Sequence, residues 1–575
     1  MYILGLNAYH GDSSACIYKN GELIAATEEE RIRRIKHWAG LPTEAIKFCL
    51  DDAGITLKEV DYITVSRDPL AKIEKKIFHS IKKLISIKAV LSRGANSLKI
   101  NNIKKDISES LGYNNDEIKA KVKFIEHHRS HMASAFHVSP FEESAILSID
   151  GMGDFTSTMR GIGKGNKIDI IDSVSYPHSI GIFYTSFTQY LGFPHYGDEY
   201  KVMGLSPYGT PNLVDKIKNE VIIFKKNGLF ELNPKFFRHF KEGVSMSWEG
   251  GAPSVEPIFS DFMIETFGPL RKKGETLSQY HMDLAASIQK VTEDLIFHIA
   301  EDLQKKTGLK NLCISGGVAQ NSVANGKLLE NTSFEKLFVP AAGHDAGTSV
   351  GSALYFYHHE LGNDRSPFLP QPYTGAHFSN EEIELYLKSR DIEYQRYEDE
   401  ELYEVVSERL INSGVVGWFQ GRAEFGPRAL GNRSIIADPR RNDAKVLLNE
   451  KIKKRESFRP FAPSILEEAI PEYFVQVDDV PFMEKVYDIK PEKHKSIPAV
   501  THVNGSGRLQ SVERKVNPRY HALIKKFGDK TGVPILLNTS FNENEPIVNT
   551  PEHALECFLR TKMDMLVLEN CVVKR

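Results

Sequence analysis

The sequence predicts an α/β protein of two domains, the first of them built on a repeated strand–turn–strand plan. Three observations carry this. Short apolar strands alternate with polar, glycine-bearing turns at the amino terminus and again near residue 145. A strand, a glycine pair and a helix start follow one another over 311–329. A stretch with three prolines in seven residues, 367–373 (PFLPQPY), then reads as a linker into a second region dense in arginine. The boundary predicted from this is 1–362 for the first domain and 363–575 for the second.

Composition narrows the class. A chain of 575 residues with 41% hydrophobic and 26% charged residues is ordinary for a soluble, multidomain globular protein. A net charge of -3 gives no global reason to expect nucleic acid as a partner. No early apolar run is long enough to span a bilayer or to act as a secretion signal, so no membrane partner is expected. The five cysteines are scattered without a CxxC pair, which disfavours zinc fingers and a disulfide framework and fits a cytoplasmic location.

In chain order, Tyr2 to Leu6 reads as a buried strand and Cys16 to Tyr18 as its hairpin partner. An Asn-Gly turn leads to a third strand, Glu22 to Ala26. The connecting loop NAYHGDSS (7–14) is rich in small and polar residues, a composition that presents backbone N–H groups to phosphate oxygens. The same plan recurs from Ala145: a strand to Ile149, the turn DGMGD (150–154), a strand Thr156 to Arg160, and a strand Lys167 to Ile171. Two hairpin units of this kind characterise the ATPase fold shared by actin, sugar kinases and heat-shock chaperones.

Just before the second unit stand His127 and His131, at the i, i+4 spacing that puts both on one helix face. Asp150 ends the strand that follows. Two imidazoles and a carboxylate so placed begin a metal site; a His-rich helix with satisfied polar contacts, including His128 and His137, is the alternative. Over 311–329 (NLCISGGVAQNSVANGKLL), Gly316 and Gly317 allow close backbone approach, and a helix from Val318 would offer its N-terminus to a nucleotide. Asp345, among small residues in AAGHDAGT, can reach a phosphate-bound cation or a fourth ligand position.

Other segments are less transparent. The lysine-rich stretch 71–105 is either a solvated amphipathic arm or a surface for RNA or membrane. Residues 220–275 read as an insertion. The segment 192–209 (GFPHYGDEYKVMGLSPYG) gathers His195, Asp198, Glu199 and Lys201 and reads as a substrate-facing loop, or else as a surface loop with a structural ion pair. In the second region, Arg422, Arg428, Arg433, Lys453, Arg459 and Arg508 are joined by LNTSFN (537–542). Arginine forks read phosphate and carboxylate, so a pocket for a small polyanion is expected there.

Taken together, LGLNAYHGDSSAC, HHRSHMASAF, SIDGMGD, EYKVMGLSPYG, SGGVAQNSVANGK, GHDAG, GRAEFGPRALGNRSIIADPR, ESFRPFAPS and LNTSFNENEPIV resemble the ATP-dependent O-carbamoyltransferases of the nodulation and antibiotic-biosynthesis type. The resemblance spans nearly the whole chain. It implies an N-terminal domain like the tRNA threonylcarbamoyl transferases, on the actin-like ATPase fold, and a C-terminal YrdC-like domain. The implied partners are ATP, carbamoyl phosphate and a hydroxylated small-molecule acceptor, with carbamoyl-adenylate passed between the domains. The implied metal ligands are His127, His131, Asp150 and Asp345, with Fe(II) or another divalent metal expected there and Mg accompanying ATP. His10 would act as general base toward the acceptor hydroxyl, with Asp12 a candidate to orient it. Nucleotide and phosphate contacts would come from Lys201, Gly316, Gly317 and Asn321, and from Arg428, Lys453, Arg508, Asn538 and Ser540. A homodimer is compatible with such a protein. The runner-up is a tRNA threonylcarbamoyladenosine-type enzyme, and a hydrogenase-maturation carbamoyl enzyme would need a CxxC module that is absent. A non-enzymatic actin-like scaffold leaves the arginine-rich pocket unexplained.

Overall fold

A computed structural model describes residues 1–76, 100, 102–248, 251–365 and 371–575. Most of the lysine-rich stretch and residues 367–370 of the predicted linker lie outside the described residues. The chain divides into two compact units, Met1–Ala324 with Leu328–Pro370, and Asn325–Lys327 with Gln371–Arg575. The division thus falls a few residues later than the predicted 362/363.

In the first unit, strands β1 (Tyr2–Asn7), β2 (Ser14–Lys19), β3 (Glu22–Glu28), β4 (Tyr62–Val65) and β5 (Lys121–Phe124) form one sheet. Strands β6 (Glu143–Gly153), β7 (Thr156–Lys164), β8 (Lys167–Ser175), β9 (Asn311–Ser315) and β10 (Lys336–Phe338) form another. The orders are β3-β2-β1-β4-β5 and β10-β9-β6-β7-β8. Each is the same five-strand plan: an antiparallel three-strand meander, then two parallel strands added beside its first strand. The duplication predicted from the two hairpins is therefore present, and it extends to the parallel strands, which hairpin signals do not report.

The sheets are apolar because helices cover them. On the first, Leu4, Leu6, Ile17, Ile63 and Val65 pack with Ile46 and Cys49 of helix α1 (Thr43–Asp52). Each such fully buried aliphatic side chain contributes about 1.5–3 kcal/mol. Helices α2 (His127–Phe136), α3 (Ile180–Tyr190), α4 (Gln279–Thr307), α5 (Ser322–Leu328) and α6 (Thr348–Leu354) complete the elements near the site. The helix expected from Val318 starts later: a 3₁₀ turn, Gly317–Gln320, intervenes before α5. Seven residues of the 192–209 segment are α-helical, Glu199–Leu205. The described part of 220–275 holds short hairpins and the helix Asp261–Phe267.

The second unit is built on an eight-stranded mixed sheet. Its strands are β11 (Gln395–Arg396), β12 (Val416–Phe419), β13 (Arg433–Ala437), β14 (Ala462–Leu466), β15 (Gln510–Val512), β16 (Ile535–Ser540), β17 (Met565–Leu568) and β18 (Cys571–Lys574), in the order β11-β18-β17-β12-β13-β16-β14-β15. Alternate residues face opposite layers, as a pleated strand requires. In β17, Leu566 and Leu568 join the core that includes helices α7 (Asn380–Ser389) and α10 (Pro551–Arg560). Met565 and Val567 join the opposite core, with α8 (Asp399–Ile411) and α9 (Pro518–Thr531).

Candidate functional site

In the first unit, four side chains from three elements converge. Glu126 caps α2 by accepting the Arg129 N–H at 2.8 Å, and the first two turns of α2 deliver His127 and His131. The pairing of β6 with β7 breaks between Ile149 and Gly153, a bulge that releases Asp150 from the ladder. Asp345 comes from the short turn before α6. His127 Nε2 lies 3.2 Å from Asp150 Oδ2 and 3.6 Å from Asp345 Oδ1, and His131 Nε2 lies 3.2 Å from Asp345 Oδ1.

Surrounding groups fix each member. The Gly317 N–H donates to Asp150 Oδ1 at 2.9 Å. Gly316 must be glycine: its φ is +104° and a Cβ would fall 2.1 Å from the Ile149 carbonyl oxygen. Asp154 accepts the backbone N–H of His127 at 2.9 Å and of Asp68 at 2.8 Å. Ser315 Oγ donates to the His131 carbonyl at 2.7 Å. His128 turns aside, its Nδ1 2.8 Å from Ser148 Oγ, and burial pushes it well below the ordinary imidazole range.

The donor set fits a divalent cation. Ligands about 2.1 Å from one ion stand about 3.0–4.2 Å from each other, and donor atoms of the four residues all lie within 4.8 Å of one another. Burial disfavours charge on His127, yet Asp150 and Asp345 outweigh it and push His127 up to about 9. Burial pushes His131 down. Asp150 stays at about 2 despite burial and the Asp345 charge, because His127 and His131 favour its anion. Asp345 likewise stays well below the carboxylate range against burial, chiefly through His10. Two carboxylates face one imidazolium, and a dication in place of that proton would complete the charge.

The group opens to solvent through the loop after β1. His10 Nδ1 lies 2.7 Å from Asp345 Oδ2, with the His10 side chain 16% exposed. Asp12, whose φ is +55°, lies 2.7 Å from His37 Nδ1, and Glu30 accepts the His37 N–H at 2.8 Å. Asp12, Glu30 and His37 also have mutually close donor atoms, but here the ion pair takes them up. Tyr196 stands over this loop, edge-on to His37 at 5.3 Å. Burial, then Asp345, Asp12 and Asp150, hold the Tyr196 hydroxyl well above the phenol range. The 192–209 segment thus does meet the site, through Tyr196.

Two predicted contacts also have partners within the protein. Lys201 pairs with Asp198 at 2.8 Å. Asn321 caps α5 and exchanges two hydrogen bonds of 2.9 Å with the Gln289 amide. His37, Tyr196, Asp154 and Glu126 were not among the predicted site residues. A DGMGD turn and an acidic residue before a histidine helix were the available signals for the last two.

In the second unit, Lys453 is 1% exposed and donates to the Ser540 carbonyl at 2.6 Å and to Asn542 Oδ1 at 2.5 Å. Asn538 donates to Ser464 Oγ at 3.0 Å and Gln510 Oε1 at 2.9 Å. Burial, then the neighbouring Arg428 guanidinium, push Arg508 well below its usual range. Two half-buried guanidiniums whose charges disfavour one another favour an anion near them.

An α/β protein with a duplicated five-strand plan and a buried His₂Asp₂ group defines the class. Residues 2–354 match the family described as Carbamoyltransferase N-terminus, and residues 407–575 match Carbamoyltransferase C-terminus. The chain belongs to the carbamoyltransferase family and is a transferase. It is 42% identical to the uncharacterized protein sll1178 of Synechocystis sp., over 100% of this chain and 97% of that one. It is 37% identical to Nodulation protein NolNO of Sinorhizobium fredii, covering 99% of this chain and 80% of the relative. With the 3'-hydroxymethylcephem-O-carbamoyltransferase of Amycolatopsis lactamdurans it shares 28% identity, over 78% of this chain and 80% of the relative. No helix among the described residues is long and apolar enough to cross a membrane. All five cysteines are free and buried.

Proposed function

We propose that the protein is an ATP-dependent O-carbamoyltransferase acting on a hydroxyl of a small molecule, such as a sugar or natural product. The observation that carries this is the buried His127–His131–Asp150–Asp345 group, with His10 against Asp345 on its exposed side, in a chain of the carbamoyltransferase family. A relative named as an O-carbamoyltransferase adds the acceptor chemistry.

In this reading the C-terminal domain, proposed to be YrdC-like, joins carbamoyl phosphate to ATP. Water first cleaves carbamoyl phosphate to carbamate and phosphate; the carbamate oxygen then attacks the α-phosphorus of ATP, so that carbamoyl-adenylate forms and pyrophosphate leaves. Arg428 and Arg508 neutralise the phosphates, while Lys453, held by Ser540 and Asn542, orders the turn beside them. In the first unit, Gly317 and the DGMGD turn approach the adenylate phosphate, and His10 takes the proton of the acceptor hydroxyl as that oxygen attacks the carbamoyl carbon and AMP departs. Asp345 orients His10, and Asp12 lies next along the loop. A divalent metal, Fe(II) or a neighbour in chemistry, when held by the four ligands, supplies Lewis-acid stabilisation of phosphate charge. Mg accompanies ATP in the first step.

The test is to incubate the protein with ATP, carbamoyl phosphate and a panel of hydroxylated acceptors, following products by mass spectrometry. Carbamoylated acceptor with AMP is expected. Turnover only with threonine and bicarbonate would move the assignment to threonylcarbamoyl chemistry. Arg428→Ala should abolish carbamoyl-phosphate-dependent pyrophosphate release; normal release by the folded variant would sink the adenylation step.

A further inference from the structure

The loop that carries Arg428 runs from Gln420 to Asn432, between β12 and β13. At its base Glu424 is 2% exposed. Its Oε1 accepts three backbone N–H groups from the far arm of the loop and the start of β13: Leu430 at 2.8 Å, Asn432 at 2.8 Å and Arg433 at 3.1 Å. Its Oε2 has no hydrogen-bond partner among the described residues. A buried carboxylate is costly to keep, and charge-assisted bonds to backbone N–H are strong. Three of them on one oxygen close the loop upon itself.

The residues after Arg428 are held as well. The Leu430 carbonyl accepts from Tyr373 Oη at 3.0 Å and Gln510 Nε2 at 2.9 Å, and the Ala429 carbonyl accepts from Asn538 Nδ2 at 3.3 Å. On the near arm, Phe425 N–H donates to the Pro372 carbonyl at 2.6 Å. Backbone is therefore fixed on both sides of Arg428, whose charge is felt by Arg508.

We propose that Glu424 is a positioning residue for Arg428: by gathering the N–H groups of Leu430, Asn432 and Arg433 it presets the loop geometry in which Arg428 meets the phosphate of carbamoyl phosphate. This rests on the reading of Arg428 as a phosphate contact. Preset geometry lowers the ordering cost of binding, so the effect falls on the substrate that Arg428 touches.

The experiment uses the full chain and pyrophosphate release at varied carbamoyl phosphate, with Glu424→Gln, Arg428→Lys and the double variant. The glutamine oxygen accepts the same N–H groups without the charge, so the fold is kept and the bonds weaken. Glu424→Gln should raise KM for carbamoyl phosphate about tenfold, a change of about 1.4 kcal/mol, with KM for ATP unchanged in the folded variant. In the Arg428→Lys background, which has lost the guanidinium fork, the same change should add less than about twofold. An unchanged KM in Glu424→Gln, or a full independent multiplication in the double variant, overturns the positioning role. An unchanged KM in Arg428→Lys alone overturns the phosphate-contact reading beneath it, and the positioning role with it.

Discussion

His10 Nδ1 lies 2.7 Å from Oδ2 of Asp345, whose Oδ1 is 3.2 Å from His131 Nε2. One carboxylate thus ties the most exposed histidine of the site to a buried pair. Asp345 can orient His10 with one oxygen and serve a cation with the other, the outer-sphere arrangement that fixes tautomer and direction in metal sites.

His10→Ala should therefore separate binding from transfer. Carbamoyl transfer is expected to fall by about 10²–10⁴, the usual contribution of a general base. Pyrophosphate release and metal content should stay near those of the unaltered protein. Metal analysis and a two-step product assay decide it; loss of all three together would place His10 among the ligands instead.

The His37–Asp12 pair predicts a pH dependence of stability. Burial opposes charge on His37, but Asp12 outweighs it and raises His37 from 6.5 to about 9. A raised folded-state value means the folded chain binds the proton more tightly than the unfolded chain. The contribution is fully present below about pH 6.5 and is lost as pH rises to about 9. Tm of the unaltered protein should fall across that window, while His37→Asn, which keeps a donor for Asp12 but does not titrate, should lose this component. Equal slopes for the two proteins would refute the pairing.

Much of this site could be read from local spacing. His127 and His131 share a helix face, Asp150 ends an apolar strand, and GHDAG marks a turn; each signal lies within a few residues. The duplicated hairpins were legible for the same reason. His37 and Tyr196 carry no such mark, since their partners are set by tertiary contact: Asp12 is 25 residues from His37, and Tyr196 reaches the β1 loop from the other half of the unit. Lys201 and Asn321 show the converse. Their motif positions point to a nucleotide, and their side chains also pair with Asp198 and Gln289, partners that no local signal announces. A glycine pair also announces a turn without fixing its kind, so the 3₁₀ turn at Gly317–Gln320 was read as α-helix.

Arg160 offers a test of structure without chemistry. It is wholly buried, with Asp172 at 2.6 Å and Asp302 at 2.7 Å. Removing a buried partner costs about 3–5 kcal/mol; since both acids keep some solvent contact, Arg160→Met should cost about 2–3 kcal/mol. Denaturant midpoints should drop, while transfer per folded molecule and metal content stay constant. A selective loss of transfer would argue that this network reaches the site.

Gly153→Ala tests the site's packing most directly. Gly153 closes the bulge that releases Asp150, and the His127 ring lies across it: a Cβ there would sit 2.1 Å from His127 Cδ2. No rotation of a methyl group relieves that, so either the ring or the turn must move. His127 is anchored through its own N–H to Asp154 at 2.9 Å, which holds the backbone and leaves the imidazole to give way. Displacing one of the four proposed ligands should lower metal affinity by about 10–100-fold, the range seen when the support of a ligand is lost. Adenylate formation, proposed for the second unit, should persist, because Gly153 belongs to the first. Metal titration followed by both half-reactions would show it, and undiminished metal affinity would mean that His127 is not a ligand.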